Sequence, residues 1–309
     1  MVQTLQPRSD NWPLHGVMPV LVTPFGDDGK IDTDSMARQV EHQVTWGVDG
    51  VVLFGLASEV HKLTDRERTD LTRAVVDAAA GRVPVILGCE HNGVDGAAER
   101  AAESQELGAD ALMAFPPSFM PPPPSAVRDY YLAIARASGL PLIAQDAPGW
   151  TGVSLTVDFL SDLAGLLDTP FAVKVEAPPT GPKIAALQER GVPSIGGYGA
   201  LHVAEERIAG AVGTMPGSGL PGLLRDVWGQ LSTHPPNEEV YTAALPLLAF
   251  QMGSLNMFIA VQKTLLARIG VIRDPKVREP TTFLTDSQLR RLDYLLQSTG
   301  AAEYAQPQP

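Results

Sequence analysis

The sequence predicts a closed (β/α)8 TIM barrel, an α/β fold, with a C-terminal helical extension. Three observations predict it. Eight short apolar runs recur along the 309 residues, each is followed by a longer segment with helical spacing, and beyond residue 230 the rhythm becomes helix after helix with no further strand. Alternation of this kind is the signature of βα units and a parallel sheet, and eight units close it.

The strand runs are Val17–Val22, Gly50–Phe54, Val83–Gly88, Ala109–Phe115, Pro141–Asp146, Phe171–Glu176, Val192–Gly197 and Val212–Met215. The intervening helices are expected near Asp32–Trp46, Asp65–Ala80, Val94–Leu107, Ser125–Ser138, Thr156–Leu167, Pro182–Arg190, Ala200–Ala209 and Leu220–Gln230. Asp32, Asp34, Thr64 with Glu67, Ser125 and Thr156 stand where N-caps or first-turn acids belong. Residues 1–15 read as an N-terminal extension and 16–230 as the barrel. Residues 231–299 read as helices packed on it, at Glu238–Phe250, Ser254–Ile269 and Thr285–Gln297, and 300–309 as a frayed tail.

Composition narrows the function. The chain is 44% apolar, 19% charged and 6% aromatic, which is globular, and its net charge of −12 repels phosphate backbones and anionic membranes. Neither nucleic acid nor a membrane is expected as a partner. A single cysteine, Cys89, no signal-like apolar stretch near Met1 and no window of transmembrane length make the cytoplasm the expected location. The six histidines never approach metal-ligand spacing and there is no cysteine cluster, so no metal is expected.

One lysine stands apart. Of six, five fall in turns or on helix-like surfaces, whereas Lys174 lies inside Phe171-Ala172-Val173-Lys174-Val175-Glu176. Strand alternation puts Phe171, Val173 and Val175 on the helix-facing side and turns Lys174 and Glu176 into the lumen. Glu176 lies about 6.6 Å nearer the mouth, at about 3.3 Å per residue. A desolvated lysine is suited to Schiff-base chemistry. The alternative is a lumen ion pair with Glu176; strand position and rarity favour the nucleophile.

The chain resembles the dihydrodipicolinate synthase/N-acetylneuraminate lyase family, class I aldolases and dehydratases on a (β/α)8 barrel with a helical extension. The likeness runs from Gly16-Val17-Met18-Pro19-Val20-Leu21-Val22-Thr23-Pro24-Phe25 to Lys263-Thr264-Leu265-Leu266, Gly270, Arg278 and Pro280, and the Lys174 strand matches the family's Schiff-base strand. The resemblance implies a 2-keto acid substrate, no cofactor beyond the covalent Schiff base with Lys174, and a homo-oligomer, commonly a tetramer.

The departures from the family pattern are as informative. Many members carry Gly-Thr-Thr-Gly-Glu after the second strand, where two Thr hold a carboxylate; here Gly55-Leu56-Ala57-Ser58-Glu59 stands there, leaving Ala57 and Ser58 as the expected substrate-binding residues. Where the family has a proton-relaying Tyr and then an Arg, this chain has Gln145 and Trp150. Gln145-Asp146-Ala147-Pro148 and the Lys-x-Glu spacing together resemble the 2-keto-3-deoxy-L-arabonate dehydratase subgroup. With no Tyr, Glu176 becomes the expected acid/base, or else only the lysine's counter-ion, and Gln145 is expected to orient a water or substrate hydroxyl. Gly197 is expected to touch substrate, because the family's seventh-strand segment does. A pyruvate-dependent aldolase, a 4-hydroxy-tetrahydrodipicolinate synthase-type condensation and a non-catalytic keto-acid binder are the alternatives.

Three further features read more blandly. Pro116–Pro124 is expected to be a rigid loop rather than a wall of the mouth, and Gly213–Gly219 plain turn chemistry rather than a phosphate cradle. Glu90-His91, and Glu59 and His61, are expected to be solvated more often than they touch substrate.

Overall fold

The computed structural model describes residues 12–306. The strands are β1 Gly16–Val17, β2 Val51–Leu53, β3 Val85–Gly88, β4 Ala111–Ala114, β5 Leu142–Asp146, β6 Phe171–Val175, β7 Ser194–Gly196 and β8 Gly213–Thr214. All neighbours pair in parallel in the order β1-β8-β7-β6-β5-β4-β3-β2. The first strand is shorter than its apolar run suggests, because Pro19 has no N–H to give the ladder. The chain resumes pairing at Val20, which bridges both Val52 and Gly217 and closes the ring between first and second strands.

The helices of the barrel are α1 Thr33–Thr45, α2 Asp65–Ala79, α3 Val94–Glu106, α4 Pro124–Ser138, the short α5 Pro148–Thr151, α6 Val157–Leu166, α7 Thr180–Glu189, α8 Val203–Ile208 and α9 Pro221–Leu231. Their starts are chemically specified. Asp32 accepts from the Ser35 N–H, Thr64 and Glu67 form a reciprocal capping box, and Thr156 accepts from the Phe159 N–H; such caps contribute about 1 kcal/mol each. Ser125 does not cap: the helix begins one residue earlier, with Pro124 supplying the fixed φ of a first helical turn.

Two apolar layers result. Leu53, Leu87, Leu112, Val173 and Val175 pack outward beneath the helices, while Val52, Ile86, Met113, Ile143, Ala172 and Ile195 fill the lumen, with Trp12 and Leu14 in the same cluster. Then come α10 Glu239–Gln251, α11 Leu255–Arg268 and α12 Asp286–Ser298. Their Leu247, Leu248, Val261, Leu265, Leu292 and Leu295 join Val17, Val203 and Val227 in one buried cluster. Among the described residues no single helix is long and apolar enough to cross a membrane.

The expectation of a frayed tail is corrected over residues 300–306. Gly300 adopts φ +72°, which turns the chain so that Ala301 is fully buried, and the Tyr304 hydroxyl donates to Asp226 at 2.5 Å. Residues 1–11 and 307–309 of the two expected terminal segments lie outside the described residues.

Candidate active site

Lys174 and Glu176 do enter the lumen, as strand alternation requires, with Ala172 of the same face in the lumen cluster. The β5–β6 register sets Gln145 beside Lys174. Three donors converge on one carboxylate: Gln145 Nε2 donates to Glu176 Oε2 at 2.6 Å, the Tyr198 N–H to Oε1 at 3.0 Å, and Lys174 Nζ stands 3.3 Å from Oε1. Lys174 is only 3% exposed and Glu176 8%. Both oxygens of Glu176 are thereby oriented, and a charge-assisted contact in a site this dry is stronger than on a surface.

Gln145 differs from expectation in one respect. Its amide donor orients Glu176, while its buried Oε1 has no hydrogen-bond partner among the described residues. That oxygen is the acceptor available to a substrate hydroxyl.

Gly197 contributes space rather than a group. A Cβ there would meet Glu176 Cγ at 2.6 Å and Oε1 at 2.8 Å, so only hydrogen fits behind the carboxylate. The following turn is unusual: Tyr198, Gly199 and Ala200 all have φ between +50° and +63°. Two non-glycine residues in the left-handed region cost on the order of 1 kcal/mol or more each, and such strain persists where the surroundings fix it. The turn aims the Tyr198 N–H at Glu176 and stacks its ring between Trp150 and His202, with centroids 6.3 and 5.5 Å away.

A cavity of about 40 Å³ lies over Lys174, Glu176 and Gln145. Ala57 and Leu56 form part of its wall, as do Trp150, Tyr198 and Met215. Ser58 does not, which corrects its expected role. Its hydroxyl donates to Leu21 O at 2.6 Å and accepts from the Phe54 N–H at 3.1 Å, and its N–H donates to Gly55 O. The residue is fully buried behind the turn that Ala57 presents.

The wall that sequence reasoning missed comes from the extension: Met252, Leu255 and Phe258 line the same cavity. The only signal was the Gly253-Ser254 break between two apolar helices, where the Ser254 hydroxyl accepts from the Met257 N–H and starts α11. A wider hollow of about 520 Å³, lined by His15, Asp49, Arg207 and Arg225, sits at the amino end of the barrel, opposite to Lys174. Barrel enzymes carry their chemistry at the carboxyl end.

The remaining candidates are structural. Glu90 is buried 3.7 Å from the Arg68 guanidinium, which also stacks on Phe54, and His91 holds the Gly93 N–H. Glu59 is fully buried against Lys263. The Gly213–Gly219 turn spends its Gly219 N–H on Gln262 Oε1 at 2.7 Å. The proline-rich loop is tied to Asn92 through the N–H groups of Ser118 and Phe119 and takes no part in the cavity.

Comparison with known proteins agrees with the architecture. Residues 13–177 match the model of the Dihydrodipicolinate synthetase family. The chain is 32% identical over 306 residues to an L-2-keto-3-deoxyarabonate dehydratase of Azospirillum brasilense, covering 93% of this chain and 98% of the relative. It is 28% identical to a 4-hydroxy-tetrahydrodipicolinate synthase of Acidobacterium capsulatum, over 93% and 96%. Its fold superposes on dihydrodipicolinate synthase from Rhodopseudomonas palustris with a TM-score of 0.86 at 26% identity, covering 92% and 97% of the two chains.

Proposed function

Since the chain belongs to the Dihydrodipicolinate synthetase family, whose members include aldolases and dehydratases, we propose that it is a Schiff-base lyase that dehydrates a 2-keto-3-deoxy sugar acid. The observation that carries the reading is Lys174 Nζ 3.3 Å from a carboxylate whose other oxygen is held by Gln145. The 32% identity to the dehydratase supports the dehydrating direction. So does the phenol-free place of Gln145.

The chemistry follows from these groups. Glu176 takes a proton from the Lys174 ammonium, and the free amine adds to the C2 ketone and expels water as an iminium forms. The iminium acidifies C3; Glu176 removes a C3 proton, giving the enamine, and returns it to the departing C4 hydroxyl, which leaves as water. Glu176, again ionised, takes a proton from C5 and C3 gains one, which moves the double bond to C4=C5 as an enol that tautomerises to the C5 aldehyde; a water then adds to the C2 iminium, restoring Lys174 and releasing a 2-keto semialdehyde. Gln145 Oε1 accepts a hydrogen bond from a substrate hydroxyl, which fixes the face presented to Glu176.

Borohydride reduction in the presence of pyruvate or a 2-keto-3-deoxy acid tests the lysine: a mass adduct is expected, and it is expected to vanish in Lys174→Ala. No adduct, or one that survives the substitution, overturns the enzyme reading. Release of pyruvate and an aldehyde in place of the semialdehyde makes the protein an aldolase, the activity class of its synthase relatives.

A further inference from the structure

We propose that Lys263, on the appended helix α11, is a positioning residue for the keto-acid site, fixing the Leu56–Ala57 turn through a buried ion pair with Glu59. This rests on the reading of the cavity over Lys174 as the substrate site.

Lys263 is fully buried, and its Nζ donates to Glu59 Oε1 at 2.5 Å and to Lys276 O at 2.7 Å, 4.4 Å from the Phe25 ring centroid. Glu59 is also fully buried, and its second oxygen accepts from Lys62 Nζ at 3.1 Å and the Arg278 N–H at 3.0 Å. The Arg278 guanidinium stacks on the same Phe25 ring and bonds Glu67. Glu59 has φ +56°, a left-handed conformation that a non-glycine residue keeps only when its surroundings hold it.

The turn is therefore clamped at its carboxyl end. Ser58 is pinned by Leu21, Phe54 and Thr23, whose hydroxyl donates to Ser58 O at 2.6 Å; Glu59 is pinned by Lys263. Leu56 and Ala57, immediately before them, face the cavity. The same α11 also places Leu255 and Phe258 in the cavity wall. One helix thus both lines the cavity and, through Lys263, holds the turn that lines it. Burial pushes the Lys263 ammonium down to about 8 against the pull of Glu59.

Loss of Lys263 does more than leave a charge unpaired. Glu59 keeps Lys62 and the Arg278 N–H on its other oxygen, so the carboxylate is drawn toward them and carries the turn with it. A misplacement of about 1 Å at a binding wall costs up to roughly a hundredfold in catalysis.

The test is steady-state kinetics of Lys263→Met, which keeps the apolar stem, with Glu59→Gln and the double variant. KM for the 2-keto-3-deoxy acid is expected to rise about tenfold or more with kcat within about threefold, and the double variant to be no worse than the poorer single one. A lowered melting temperature with KM and kcat within about twofold of wild type means a merely structural pair and overturns the proposal. Should Lys263→Met not fold, Glu59→Gln, which removes the same ion pair from its other side, decides: a raised KM at kcat within about threefold supports the proposal, an unchanged KM overturns it. Wild-type protein that forms no borohydride adduct fails the underlying reading, and the proposal with it; an adduct with unchanged KM in the variants fails the proposal alone.

Discussion

Gly197→Ala is the smallest change that moves Glu176, the carboxylate proposed for proton transfer, away from Lys174. The added methyl would lie 2.6 to 2.9 Å from Glu176 Cγ, Oε1 and Cδ, where ordinary contacts are 3.4 Å or more. Glu176 has to retreat by on the order of 1 Å, which stretches its bonds from the Tyr198 N–H and Gln145 and moves it from the C3 proton. At about a hundredfold for a 1 Å misplacement, and 1.36 kcal/mol per tenfold, the loss is about 2.7 kcal/mol of transition-state stabilisation. The Lys174 amine keeps its place although its 3.3 Å contact with Glu176 lengthens, so pyruvate is still expected to give a borohydride adduct, formed more slowly, while kcat for dehydration falls. Gly196→Ala is the control: its methyl points to the other side of the wall, 2.0 Å from Glu206 Oε2, and is expected to cost stability without selectively slowing turnover. Folded Gly197→Ala protein with kcat within threefold of wild type would refute the role given to Glu176.

Two further outcomes are expected. Glu206 is buried, and burial pushes its carboxyl up to about 8 from 4.5 against the pull of the nearby Thr180 hydroxyl and Gly197 N–H. The folded state then holds a proton the unfolded state releases, so its contribution is fully present below about pH 4.5 and is lost as pH rises to 8, at up to about 1.4 kcal/mol per unit. Glu206→Gln is expected to remove that dependence, and melting curves of both proteins at pH 5 and pH 8 check it; an unchanging difference between them contradicts the assignment. Ser58→Ala orphans the Phe54 N–H and Leu21 O; urea unfolding is expected to show a loss of about 1–3 kcal/mol with KM within threefold, whereas a tenfold KM rise at full stability would put the hydroxyl on the substrate.

The barrel and the inward placement of Lys174 were legible in the sequence for one physical reason: strand period. A lysine in an otherwise apolar strand, with a glutamate two residues on, has to share its face, and the 3.3 Å contact is the result. What stayed hidden depends on contacts far apart in the chain. Nothing local says that the Ser58 hydroxyl is already committed to Leu21 O, 37 residues away, or that Glu59 meets Lys263 across 204. Nor does the apolar pattern of α11 distinguish a residue that packs on the barrel from Phe258, which enters it. The Pro19 break was legible in principle, since proline cannot donate to a ladder, yet the apolar run around it outweighed that signal.

The walls of the cavity have a consequence for the order in which the protein is made. Val20, Leu56 and Ala57 leave the ribosome early, Lys174 midway, and Met252, Leu255 and Phe258 late. Until those last residues arrive, the Lys174 amine lacks part of the wall that covers it. The ion pair of Lys263 with Glu59 is a contact of long sequence separation, which local structure cannot hasten. The cavity wall is therefore complete only once residues 252–263 are in place, and a chain ending after α9 would lack Met252, Leu255 and Phe258 over Lys174.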